Sequence, residues 1–220
     1  MKVSAGQARR PRRGSAPQTR REILDAAEAI FAEQGYALAR LEDVAARVRI
    51  RRASMVYHFR GKPELYAAML EHVLADLRTA LQETLASAGS AAGRIERTVE
   101  AWADQVGRRP TIARLLLREV SDSDPERLKA LRGSAPVIDC WIAVVQEGQR
   151  DEGLRAVDPV QLASMLIGAT VFFFSATSQL APDRPFDATS QDHLRLHREE
   201  LLRITRRLLG TRGPRRLSTR

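Results

Sequence analysis

Sixteen residues of this chain, RVRIRRASMVYHFRGK from Arg47 to Lys62, set five arginines and a lysine around a short apolar spine and close on Tyr57, His58 and Phe59. A guanidinium donates paired N–H bonds to phosphate or to the O6/N7 edge of guanine, while tyrosine, histidine and lysine add single donors. That chemistry suits a polyanion. Arg51 and Arg52 stand where a guanidinium reaches guanine or phosphate, with Ser54 and Met55 as further base-reading candidates. Tyr57, His58 and Lys62, one to two turns on, are placed to donate to a sugar-phosphate wall, and Arg40 lies just upstream.

Other chemistry is sparse. His193 and His197 are four residues apart in DHLRLHREE, a spacing that can hold zinc, with Glu200 on the same side. A third clear ligand is missing, so the expectation is a polar edge on a packed helix and no metal. The single cysteine, Cys140, beside Trp141, has no sequence signature of an activating base and reads as a buried inert thiol. No glycine-rich phosphate loop, nucleophile elbow or HExxH is present. No catalytic residue and no cofactor are expected.

The elements that position the basic stretch are helical. In TRREILDAAEAIFAEQG, from Thr19, residues Ile23, Ala27, Ile30 and Phe31 share one face, Thr19 and Glu22 fit a capping box, and Gly35 marks the C-terminus. Leu41, Val44, Ala45 and Val48 make a short amphipathic helix with Glu42 and Asp43 in its first turn, where the helix dipole favours them. A break around Arg49 and Ile50 leads to a third short helix from Arg51 to Phe59. Two short helices across so tight a turn predict a helix-turn-helix, whose second helix enters the DNA major groove.

Beyond Pro63, which suits a first helical turn, PELYAAMLEHVLADLRTALQETLAS carries an apolar stripe through Leu65, Met69, Val73, Leu77 and Leu81. Further helices are predicted over 94–107, 110–121, 125–150, 158–180 and 190–209, with no period-2 stretch of useful length. The reading is an all-α chain of about nine helices: a basic arm over 1–18, the helix-turn-helix domain over 19–62, a larger helical domain over 63–209 and a basic tail over 210–220.

Charge follows this division. Residues 1–62 carry 14 basic and 6 acidic groups, residues 63–202 carry 15 and 21, and residues 203–220 carry 7 and none, within a formal net charge of +9. Arg9, Arg10, Arg12 and Arg13 form an arm able to reach phosphates or a minor groove. No run approaches the ~18 apolar residues of a membrane span, and MKVSAGQARRPRRGSAPQTRR has no apolar signal core. A cytoplasmic protein without a membrane partner is expected.

AAEAIFAEQGY followed by LEDVAARVRIRRASMVYHFRGKPELYAAML resembles the DNA-binding domain of TetR-type (tetracycline-repressor-like) bacterial transcription regulators, closely over residues 19–70. Three positions depart from that pattern. Arg40 replaces the usual Thr or Ser cap, Arg49 replaces a turn glycine, and Val56 replaces a common phosphate-contacting tyrosine. The resemblance implies a homodimer on a double-stranded DNA operator, released by a small apolar effector, and a repressor more than an activator. It also implies that the last two long helices pair across the dimer while the pocket lies among earlier ones. Phe172, Phe174, Leu194 and Leu201 are then interface candidates, and Gly168 and Ala169 would permit close helix approach. Trp102, Leu116, Trp141, Met165 and Phe173 are the pocket candidates. A DNA-binding protein without an effector, and an enzyme or carrier using an apolar cavity, are the alternatives.

Overall fold

A computed structural model describes residues 16–122, 132–180, 182–183 and 185–211. The four arginines of the arm, and residues 212–220 of the tail, lie outside them. Helix α1 spans Ala16–Leu38, so it starts ahead of the expected cap at Thr19, with Pro17 as its second residue. A proline there loses no hydrogen bond, because the first N–H groups of a helix have no internal partner. The regular helix ends where expected: Gly35 has φ 78° and ψ 170°, and the chain resumes a helical path to Leu38.

Helix α2 (Leu41–Arg47) begins after Arg40, which occupies the cap without a side-chain bond, and keeps Glu42 and Asp43 in its first turn. Arg49 takes the left-handed conformation, φ 57°, that the missing turn glycine would have adopted. A non-glycine residue there costs roughly 1 kcal/mol. The tight turn closes with Ile50 N–H on the Ala45 carbonyl at 3.0 Å, and α3 runs from Arg52 to His58.

Helix α4 (Lys62–Ala86) has Pro63 in its first turn. Helix α5 (Ala91–Arg108) is capped by Ser90, whose hydroxyl accepts from Gly93 N at 3.1 Å, three residues ahead of the predicted start. Helices α6 (Thr111–Asp122) and α7 (Ala135–Asp151) follow; the early part of the predicted 125–150 helix falls among residues not described. The helix expected over 158–180 is instead two pieces, α8 (Pro159–Ser175) and the single turn α9 (Thr177–Leu180), separated at Ala176 with φ −132°. Helix α10 (Gln191–Leu209) is capped by Ser190 and stops at Gly210, φ 77°. Among the described residues there is no strand, and the fold is all-α.

Helix α4 is the spine, packing on α1, α5 and α7, while α5 also packs on α10, and α6 bridges α1 and α8. One core cluster joins Ile23, Phe31, Met55, Phe59 and Tyr66 to Leu77, Trp102 and Leu115. A second gathers Leu85, Ile95, Trp141, Val145, Leu162 and Leu201. Each of the large side chains fully buried here contributes about 1.5–3 kcal/mol. Helix α7 approaches α5 closely at Gly148, where any side chain would strike Leu154 and Ala91.

Candidate functional site

The α2–α3 unit offers an outward face of Arg40, Arg47, Arg51, Arg52, Ser54, Val56 and Tyr57, all exposed. Tyr57 is 84% exposed, a large aromatic held in solvent with His58 edge-on at 5.4 Å. Arg52 is ion-paired with Glu42 across the turn, whereas no ion pair involves Arg51 among the described residues. Met55 is a correction: it is 0% exposed, because the inner side of α3 must anchor on α1 and α4, and it cannot read a base. Lys62 is turned back onto the end of α1. Its ammonium donates to the Ala37 carbonyl at 2.9 Å and lies 4.7 Å over the Tyr36 ring, capping the end of α1, and partial burial lowers its pKa.

Three contacts join α6 and the α5–α6 corner to α1 and α4. Arg109, at the α5–α6 corner, forks onto buried Glu28 of α1, and hydrogen bonding to that carboxylate holds the guanidinium firmly charged. Arg118 of α6 donates to the Glu33 carbonyl at 3.0 Å, and its guanidinium lies where a side chain at Gly35 would be, 2.6 Å from an added Cβ. Tyr66 of α4 donates to buried Glu119 of α6. Helix α6 therefore touches α1 and α4 with successive residues.

Leu116, about half a turn earlier on α6, faces a cavity of about 190 Å³ between α4, α5, α6, α7 and α8. Trp102 and Trp141 line it with Leu77, Val99, Leu166 and Ile167, and the polar groups on its wall are Arg78, Thr98 and Ser134. Three of the five sequence candidates, Trp102, Leu116 and Trp141, thus meet at one cavity. Met165 does not: it is 49% exposed on the far side of α8. Phe173 is also elsewhere, stacked on His197 at 4.1 Å and edge-on to Phe186 at 5.2 Å. The sequence pattern does not single out Arg78, which looks there like one more solvated charge on a long helix.

Of the interface candidates, Phe172 is 50% exposed, but Phe174 and Leu201 are buried in the chain's own core, and Leu194 packs against Gly107. The exposed apolar residues of these helices are Val160, Met165 and Phe172 on α8 and Leu196 and Ile204 on α10, with Gly168 and Ala169 open on the α8 face. The phase of each helix separates the two sets, and residue size alone does not reveal phase.

The two histidines serve different neighbours. His193 Nδ1 lies 2.8 Å from Ser190 Oγ, whereas His197 Nε2 lies 3.2 Å from Thr170 Oγ1, and Glu200 pairs with Arg203. Thr170 gives its proton to the Leu166 carbonyl and accepts from Trp102 Nε1 at 2.9 Å, so His197 Nε2 is the donor. Among the described residues no three His, Cys, Asp or Glu side chains converge as a metal site. Cys140 is half-buried against the second core cluster, not fully enclosed as expected, because it lies on the flank of α7. No helix among the described residues is long and apolar enough to cross a membrane.

Residues 23–69 match the family described as bacterial regulatory proteins, tetR family. Over 189 residues, 86% of this chain and 84% of its relative, the sequence is 28% identical to the HTH-type transcriptional activator FasR of Mycolicibacterium smegmatis. Among solved structures, a tetR-family regulatory protein from Rhodococcus RHA1 superposes with a TM-score of 0.74 at 16% identity, covering 91% of this chain and all of that one. AibR, solved with isovaleryl coenzyme A and operator DNA, gives 0.72 at 15% identity over 88% of this chain and all of its own.

Proposed function

We propose, from the match of residues 23–69 to the tetR family of bacterial regulatory proteins, that this chain is a regulator of that family, binds a two-fold operator as a homodimer and answers to a small apolar effector. It is a DNA-binding transcription regulator and no enzyme. The division into a reading unit over 19–62 and a sensing and pairing unit over 63–209 is part of the proposal.

The observation that carries it is helix α6. Leu116 lies on the cavity wall, Arg118 holds the end of α1, and Glu119 holds Tyr66. A molecule that fills the cavity displaces α6, and α6 cannot move without turning the recognition unit. Half-sites about 34–36 Å apart tolerate little change in the distance between two recognition helices. The effector therefore lowers operator occupancy, which in a promoter-blocking position makes the protein a repressor. AibR was solved with an acyl thioester and operator DNA together, which supports an acyl-bearing effector in a fold of this kind.

In the dimer, Val160, Met165 and Phe172 of α8 and Leu196 and Ile204 of α10 meet their counterparts. On DNA, Arg51, Arg52, Ser54 and Tyr57 face the groove, Arg40 and His58 the backbone, and the arm with Arg9, Arg10, Arg12 and Arg13 adds phosphate contacts. The test selects bound duplexes from a random pool and titrates candidate effectors against the selected site, with sedimentation in parallel. A palindromic site, a dimer and ligand-dependent release are expected. A monomer at micromolar concentration, or binding that no small molecule alters, would overturn the dimer or the effector respectively.

A further inference from the structure

The cavity wall is apolar except at a few points; its two indole N–H groups and the Thr98 hydroxyl already have partners, and Ser134 is partly exposed, so water can serve its hydroxyl. Trp102 Nε1 donates to Thr170 Oγ1 and Trp141 Nε1 to the Pro159 carbonyl, each at 2.9 Å. The Thr98 hydroxyl bonds the Arg94 carbonyl at 2.8 Å and meets Thr84 Oγ1 at 2.9 Å. Arg78 differs. Its side chain is 15% exposed, Nη2 is taken by Glu71 on the same helix, and Nη1 is buried with no acceptor among the described residues. Glu71 stands outward, half in solvent, so it anchors one arm of the guanidinium from outside, while the other arm is enclosed and belongs to a side chain of the cavity wall.

A buried donor without an acceptor destabilises the fold, and a charged one does so more strongly. An apolar residue of similar length would fill the same wall without that cost. We propose that Arg78 is the headgroup receptor of the cavity: the ligand is an acyl compound whose hydrocarbon lies against Trp102, Trp141, Leu77 and Leu166 and whose carboxylate or carbonyl oxygen accepts from Arg78 Nη1. This rests on the reading of the cavity as the effector site and adds the ligand's chemical class and orientation. The oxygen acceptor belongs equally to a free carboxylate and to an acyl thioester. A charged carboxylate forms the stronger bond with a guanidinium, whereas a thioester carbonyl leaves the remainder of its carrier to extend out of the cavity.

The experiment is isothermal titration calorimetry of the full chain with decanoate, methyl decanoate and naphthalene, repeated on Arg78→Met. The parent is expected to bind naphthalene and at least one acyl probe. Arg78→Met is expected to lose tenfold or more in affinity for that acyl probe, to hold naphthalene within twofold, and to melt no lower than the parent when empty. Decanoate preferred over methyl decanoate identifies the free acid as the source; equal binding of the two, both weakened in the variant, identifies the carbonyl of an ester or thioester. Should Arg78→Met fail to fold, Arg78→Lys, which keeps charge and stem but lacks the second arm, is expected to lose severalfold for the acyl probe and nothing for naphthalene. Acyl affinity unchanged within twofold in the substituted protein would mean that a water occupies Nη1, and would overturn the assignment. Binding of naphthalene with neither acyl probe sinks the headgroup site alone; binding of none of the three sinks the cavity as an effector site as well.

Discussion

Buried Glu28 and partly exposed Arg109 form a two-pronged ion pair between α1 and the α5–α6 corner. Arg109 Nε donates to Glu28 Oε1 at 2.7 Å, Nη2 donates to Oε2, and the Thr111 hydroxyl adds a third bond to Oε1. Asp25 lies 4.0 Å from the same guanidinium and 3.1 Å from His72 Nε2, so carboxylates of α1 are gripped from two sides. Removing Glu28 strands a guanidinium that water can still partly reach, which costs about 1.5–3 kcal/mol. Glu28→Ala is therefore expected to lower unfolding stability by that order in urea titration, and to weaken operator binding even where the protein remains folded. A drop below about 1 kcal/mol would mean that water replaces the carboxylate without penalty.

Arg51 and Arg52 are neighbours with unequal freedom. Arg52 is held by Glu42, while Arg51 projects from the start of α3. Arg51→Ala is expected to remove about 1–3 kcal/mol of discrimination at one base pair of each half-site. Arg52→Ala should instead weaken operator and random DNA alike and reduce the slope of log K against log salt by about 0.9 for each phosphate no longer neutralised. Affinity measured on both DNAs at several salt concentrations separates the two; the same effect from both substitutions would assign base reading to Ser54 and Tyr57.

Arg49 tests the turn between the reading helices. At φ 57° it sits in the region where glycine is at ease. Arg49→Gly is expected to stabilise the fold by up to about 1 kcal/mol, read as a raised denaturation midpoint, while nonspecific DNA affinity falls because a positive charge is removed. A fall in stability would show that the Arg49 side chain contributes more than its backbone strain takes away.

His197 makes stability depend on pH. Burial against Phe173 and beside Thr170 pushes its imidazole pKa down from the ordinary 6.5 to about 4. Between those values the unfolded chain binds a proton that the folded chain refuses, so the stability due to neutral His197 is complete above about pH 6.5 and falls away as pH drops toward 4. The ring is partly solvated, and the decrease is expected to be roughly 1–2 kcal/mol, less than full burial would give. Urea unfolding at about pH 7.5 and about pH 4.5, on either side of most of that window, should show the drop, and His197→Gln should shrink the difference; an unchanged difference would assign the drop to other groups.

The helices are legible in the sequence because period-3.6 patterns, caps and glycine stops are local. Gly35, Arg49 and Pro63 each behave as their residue type dictates. Errors arise where a side chain's direction depends on distant helices. Met55 and Leu201 look like contact residues, yet their positions face inward, whereas Val160 and Leu196, which no sequence pattern marks, face solvent. Arg78 is illegible for the same reason: among the charged residues of α4 nothing local separates a solvated guanidinium from one that lines a cavity. Trp102, Leu116 and Trp141 are recognisable because large apolar residues on several helices tend to line one shared space.

The open apolar face of α8 and α10 has a consequence for abundance. In the proposed dimer a second copy covers that face, so the folded state becomes concentration-dependent, and each tenfold dilution removes about 1.4 kcal/mol from the paired form. Regulators are present in few copies. The number of molecules a cell holds then sets how many are intact as well as how many sites are filled, and a single substitution at Phe172 acts as a change in gene dosage without touching DNA or ligand.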